Sequence, residues 1–584
     1  MRRLIRTAML VSVAVLIPVA VAAATPPGSD TKVTVGSPAA PFSQSKQNEP
    51  AVAVNPIAPN IVAAGANEEV DDEACNAGDP TTCPFTTGVG TSGVYFSDNS
   101  GSSWMQPTYT GWSARDCLGP APCSPHVGPI GTLPRYFESG LVSDGDPAVG
   151  FGPQPDANGH FSWSNGWRLY YANITSNFNG ERTEGNFKGF EASAVSRLDS
   201  QNYAAAKAGD NNAWMAPVIV TRQNAALFSD HEMVAADDAS SSPFFGNVYV
   251  CNAAFRSQQA NGPEPIVLNS SSDGGNTWHA TQLSQAVNNG QIGGRQDCAV
   301  NTDSQGNVYV FWDGADGNTG AQAIFMARSS DGGIHFQRPA SVVTHIVSTG
   351  LQDPESGDFT FDGVAGARDG SFPTFDIANG APTGAGASDE IVLAWSQGPT
   401  PSDTSGGPNE QVQILDSTNR GNNWHSGGVG SPAGDRPDFP AIAISPNGHD
   451  AYLTYMNFLQ PWQSTTATPR PFQGVVRHAD VAANGSIGPW SDLNRAPIAD
   501  ARGSSANALD GEFLGDYDYA FATNAFGVAV WNDARNAADC PAIDAYRQSL
   551  VNGAPIARPA PQQDCPANFG NSDIYGGSYA DPTP

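Results

Sequence analysis

Along most of the chain, apolar and polar residues alternate in short runs broken by turn-forming residues. In "NVYVFWDG" (residues 307–314), Val308, Val310 and Trp312 share one face of an extended strand. A longer phrase containing such runs recurs. It opens with a carboxylate, often followed by proline, then gives an apolar alternation, a turn and a second alternating run. Examples are "NEPAVAVNPIAPNIVAAGA" from Asn48, "GDPAVGFGP" from Gly145, "DHEMVAADDASSSPFFGNVYVCNA" from Asp230 and "QDCAVNTDSQGNVYVFWDG" from Gln296. Further copies begin at Phe372 and Arg436, and the last is "GEFLGDYDYAFATNAFGVAVWNDAR" from Gly511. Each predicts a two-stranded hairpin, with "SQGN" or "SPNG" supplying the turn. Two more intervals, from Ala194 and from His478, look like eroded strand pairs. One hairpin plus one more strand pair makes a four-stranded antiparallel sheet. Repetition at this spacing predicts an all-β propeller of seven blades, or six if the first and last units merge.

A second, shorter phrase punctuates the first. It reads "SSDGGNTW" at Ser271 to Trp278 and "SSDGGIHF" at Ser329 to Phe336. Looser copies, "SDNSGSSW" from Ser97 and "STNRGNNW" from Ser417, place Asn99 and Asn419 where the aspartate stands. An aspartate or asparagine oxygen can accept backbone N–H groups across a turn, glycine supplies positive φ, and the aromatic residue packs between sheets. The phrase therefore predicts scaffold and not chemistry. It resembles the Asp-box, or BNR, repeat of sialidases and sialidase-like propellers. That resemblance implies a propeller whose boxes lie on outer hairpins, away from the substrate.

Composition agrees with many strands and many turns. Glycine (63) and proline (46) make up nearly a fifth of the 584 residues, charged residues are 14%, and lysine is almost absent. The formal charge of −30 disfavours nucleic acid and anionic membranes as partners, although screening within about 8 Å lets a pocket differ from the surface. Arg2, Arg3 and Arg6, the run "AMLVSVAVLIPVAVA" and "AAA" at residues 22–24 form a signal-peptide pattern cleaved near Ala24. The expectation is a secreted or periplasmic monomer: signal peptide 1–24, N-terminal linker 25–47 and a single propeller 48–584, with no membrane span. Eight cysteines fit that compartment, with local pairs Cys75/Cys83, Cys117/Cys123 and Cys540/Cys565 and a strand-to-strand pair Cys251/Cys298.

Propellers bind ligands at the axial mouth, near the starts of their innermost strands. The carboxylates opening the long phrases stand there: Glu49, Asp146, Asp230 with Glu232, Asp297, Asp438 and Glu512. Each can cap its own turn. Together they can form an acidic mouth that holds a cation, calcium being the candidate cofactor, or works as acid and base on a glycosidic bond. The sialidase resemblance implies three arginines gripping a substrate carboxylate, a tyrosine–glutamate nucleophile and an acid/base aspartate. Residues of those types are Arg295, Arg436 and Arg535, Tyr517 with Glu512 five residues earlier, and Asp230 and Glu232. The family's Arg-Ile-Pro motif is absent, so these residues are chosen from their own strand positions. The acidic run Glu68, Glu69, Asp71, Asp72 and Glu73 predicts a solvated loop. Three functions stay open: an exo-sialidase-type hydrolase acting on an extracellular glycan or glycoprotein, a non-catalytic glycan- or protein-binding propeller, and a polysaccharide lyase or other hydrolase sharing only the architecture.

Overall fold

The alternating runs pair into antiparallel sheets arranged as seven blades around an axis. The computed structural model describes residues 28–76, 86–178, 186–221, 227–256, 263–286, 295–317, 319–370, 372–398 and 410–584. The signal-peptide pattern and Cys83 lie outside these residues. The innermost strands are Gln47–Val54, Ala148–Pro155, Phe228–Ala236, Arg295–Thr302, Thr374–Ile377, Pro437–Ile444 and Tyr519–Ala522. Each contacts the innermost strand of the next blade, and the seventh contacts the first, which closes the ring. The eroded intervals are the outer strands of blades 2 and 6: Ala192–Asp199 with Val218–Ile219, and Pro471–Asp480 with Ser491–Arg495. Blade 7 takes its outer strand, Thr31–Lys32, from the segment expected to be a linker, paired to Asp573–Ala580.

Both faces of a central strand are apolar because each blade is covered on both sides. Val308, Val310 and Trp312 pack towards Tyr249, Cys251 and Leu268 of blade 3. Tyr309 and Phe311, on the opposite face, pack towards Phe375, Ile391 and Leu393 of blade 5. Burial of each such side chain stabilises by roughly 1.5–3 kcal/mol, so cohesion is spread around the ring. Disulfides join Cys117–Cys123, Cys251–Cys298 and Cys540–Cys565. Among the described residues no helix is long and apolar enough to cross a membrane.

The four short phrases build one kind of turn at the end of the third strand of blades 1, 3, 4 and 5. The serine hydroxyl is the hub: Ser97, Ser271, Ser329 and Ser417 each accept the glycine N–H four residues on, at 2.9 to 3.0 Å. Each serine also donates to the Oδ1 of Asn99, Asp273, Asp331 or Asn419. That Oδ1 accepts the backbone N–H of Ser103, Thr277, His335 or Asn423 at 2.9 Å. The turn uses an oxygen that aspartate and asparagine share, which explains why either serves.

The acidic run after Glu68 departs from the expected solvated loop. All five carboxylates are buried. Glu68 accepts from Ser37, Gln47, Tyr95 and Gln106, while Lys46 pairs with Glu69 and Arg115 with Asp71. Asp72 accepts the Thr86 N–H and Glu73 the Thr86 hydroxyl. These carboxylates order the connection between the second and third strands of blade 1, because partners distant in sequence close over them.

Candidate active site

The carboxylate-proline phrase places a bulge at the start of the inner strand. The register slips between Asn48 and Ala51, Asp230 and Met233, Gln296 and Ala299, and Asp438 and Ala441. Glu49, His231, Asp297 and Phe439, inside these slips, have φ between 49° and 56°, and Asp146 at the head of blade 2 has φ 50°. Side chains in this left-handed region cost energy that a simple strand end would not require, and such strain concentrates at functional sites. The five residues occupy one position of the repeated phrase.

Four of the five meet at the mouth. Asp146 and Glu49 are hydrogen-bonded carboxyl to carboxyl; burial raises both, and the charge of Glu49 pushes Asp146 higher. Asn67 holds the pair, donating to Glu49 at 2.5 Å and accepting the Asp146 N–H at 2.8 Å. His231 Nδ1 lies 2.9 Å from Asp297 Oδ1. Burial works to lower this imidazole, but Asp297, aided by Asp230 and Asp516, outweighs it and holds His231 above its usual value. Burial pushes Asp230 up to about 6; Asp297 and Asp516 add to the rise, while His231 and Arg368 oppose it.

An aromatic wall and a rim complete the mouth. The Tyr517 ring lies 4.8 Å from His231, and Phe372 lies 6.0 Å from it on another side. Burial raises the Tyr517 hydroxyl, and the charges of Asp146 and Glu49 raise it further, so it stays protonated. Arg368 forms a two-pronged pair with Asp516 at the rim and remains half exposed. A cavity of about 80 Å³ lies among His231, Asp297, Phe372, Tyr517 and Tyr519. Tyr519 bonds to the Met233 sulfur, and both residues also border a larger axial cavity of about 530 Å³ with mainly apolar walls.

The sequence-derived site is thus divided. Asp230 and Tyr517 stand at the mouth. Glu232 is buried behind Asp230 with neither carboxyl oxygen bonded among the described residues, and burial with the charge of Asp230 raises it well above the usual range. Glu512 is not the partner of Tyr517; it binds Arg470 at 2.8 Å in a buried pair. Asp438 joins Thr349 away from the mouth. Arg436 is buried against Glu410 at 3.1 Å, and Arg535 binds Asp30 and Asp533, each at 2.6 Å. The backbone of Arg295 opens the inner strand of blade 4, opposite Gly314.

His231, Arg368 and the rim role of Asp516 escape a search for carboxylates at strand openings. Aligning the long phrases would reveal His231, which stands where Glu49, Asp146 and Asp297 stand in theirs. Arg368 comes from the long connection between blades 4 and 5, which no repeat marks.

No protein-family model matches the chain, and no curated protein matches it in sequence. Solved structures do match at low similarity. An α-L-arabinofuranosidase from Fusarium graminearum, in complex with an iminosugar inhibitor, aligns at 11% identity over 74% of this chain and 92% of its own, with a TM-score of 0.35. Penicillium chrysogenum α-L-arabinanase with arabinobiose gives 11%, 74%, 92% and 0.37. Trypanosoma rangeli sialidase with sialic acid gives 13%, 84%, 69% and 0.37. At these scores none of the three carries an argument about chemistry. The reading of the site rests on its own residues.

Proposed function

We propose that the protein is a secreted, monomeric glycoside hydrolase whose mouth takes a neutral sugar of an extracellular glycan. The observation that carries this is a set of mouth carboxyls in separated environments: Asn67 holds Glu49 and Asp146 together, where burial raises both, while Asp230 stands beside the His231–Asp297 pair and is pushed by burial up to about 6. Such separation is what acid/base cleavage of a glycosidic bond needs. Asp230 is the general acid and base, with Glu49 and Asp146 as the opposing carboxyl pair. Tyr517 and Phe372 offer ring faces to the sugar, and Arg368 with Asp516 can bond its hydroxyls. A sialidase-type reaction would need arginines around an anionic sugar; Arg436 and Arg535 are held by Glu410, Asp30 and Asp533, and Arg368 is balanced by Asp516. The disulfides Cys117–Cys123, Cys251–Cys298 and Cys540–Cys565 fit an oxidising compartment.

The test is turnover of a panel of neutral aryl glycosides and an aryl sialoside. A neutral glycoside should be cleaved, and Asp230→Asn should lower kcat/KM by about 10²- to 10⁴-fold. Cleavage of the sialoside alone would overturn the substrate class. A folded protein that binds neutral glycans but cleaves none would leave a binding propeller.

A further inference from the structure

Away from the mouth, the seam between blades 6 and 7 gathers a second set of titratable side chains. Asp450 and Asp480 are cross-strand partners in blade 6, as are Tyr452 and His478. With a period of two, all four side chains stand on one face of that blade. Asp581 follows the last strand of blade 7, Asp573–Ala580, and reaches the same place from the other side. One ligand atom from each of Asp450, His478, Asp480 and Asp581 lies within 4.8 Å of all the others. His478 Nε2 is 3.1 Å from Asp450 Oδ1 and 3.8 Å from Asp581 Oδ1. Ligand atoms about 2.1 Å from a tetrahedral zinc ion stand about 3.4 Å apart, so these separations bracket a closed coordination edge.

Two further observations point to a cation. First, three carboxylates meet here, and among the described residues no lysine or arginine pairs with any of them. Asp450 and His478 are buried, so solvent does little to offset their charge. Second, the Tyr452 hydroxyl is buried, has no hydrogen-bond partner among the described residues, and is 2% exposed. Its ring lies 5.1 Å from the His478 ring. A buried donor beside carboxylates is satisfied once a metal fixes their oxygens, or a metal-bound water, within its reach. Thr583 donates to Asp480 and, at 3.2 Å, to Asp581, and so holds the tail against blade 6.

We propose that Asp450, His478, Asp480 and Asp581 bind one zinc ion, which fastens the C-terminal tail across the seam between blades 6 and 7. The imidazole nitrogen selects zinc over calcium or magnesium, which prefer all-oxygen shells and more ligands. The role is structural, because the ion joins the end of the closing blade to its neighbour.

The experiment strips the full chain with chelator and titrates it with zinc chloride and, separately, calcium chloride at pH 7.5. Calorimetry, metal analysis and thermal unfolding provide the readouts. One zinc per chain is expected, with a higher unfolding midpoint in zinc than in chelator. Asp581→Asn should weaken zinc binding about tenfold or more. It lies beyond the final strand, so its fold can be verified by circular dichroism; His478→Gln, at a buried position, is the second variant. A folded chain that takes up no zinc would overturn the proposal. Zinc uptake unchanged in both variants, or preference for calcium, would overturn it too.

Discussion

Glu68 has no exposed surface and accepts four side-chain hydrogen bonds, yet its carboxyl is pushed up to about 7. Burial is the larger influence, and Ser37, Tyr95, Gln106 and Gln47 only moderate it. Folded Glu68 therefore binds its proton more tightly than the unfolded chain does. Its stabilising contribution is complete below about 4.5 and is lost as pH rises through about 7. Burial likewise pushes Asp144, Asp238 and Asp376 up to about 7, so their effects share this sign. The unfolding midpoint should be higher at pH 5 than at pH 8, and Glu68→Gln should narrow the difference. Thermal unfolding at the two pH values checks this; an unchanged gap would remove Glu68 from the account. At this scale the sequence supplied residue types but not environments. Glu68 and its acidic neighbours look like solvated charge until Ser37, Tyr95 and Gln106 are brought around them.

Blades are held together by close fits that a strand pattern only partly reveals. Gly474, in the third strand of blade 6, faces Trp531 of blade 7, and a Cβ there would stand 2.4 Å from the indole nitrogen. Trp531 is fully buried and cannot swing into solvent. Gly474→Ala should therefore cost about 1–3 kcal/mol in urea unfolding, without altering the mouth. A variant as stable as the parent would mean that the two blades can part without loss. The long phrases announced the hairpins through their alternation, and the short phrases announced the outer turns. The position that takes positive φ recurs in five of the aligned phrases, but only pairing to the second strand turns it towards the axis.

The ring is fastened by strand Thr31–Lys32, which joins the start of the chain to its last strand. Val33 N–H donates to Ile574 O at 2.8 Å, Lys32 pairs with Asp573 at 2.5 Å, and Val33 is fully buried. A chain beginning at Gly36 should lose at least the roughly 1.5–3 kcal/mol of Val33 burial and unfold at lower temperature. Equal unfolding midpoints for the two lengths would show that packing between blades closes the ring unaided. The closing strand is two residues long, too short for any period to mark it, and its partner lies more than 500 residues away in sequence.

Short-range physics is written in the chain. Period-two alternation, turn residues and the serine hub are each complete within a few residues, so the sequence by itself determined an all-β propeller with scaffold turns on its outer hairpins. It also placed Asp230 and Tyr517 near the mouth, because the start of an inner strand can be read from its own phrase. Tertiary structure decided everything that depends on which distant groups meet. It set His231 against Asp297, assigned Glu512 to Arg470 instead of Tyr517, drew Arg436 into a buried ion pair with Glu410 and tied Arg535 to Asp30 and Asp533. Charge and protonation act across space, and only the closed ring brings those groups within range of one another.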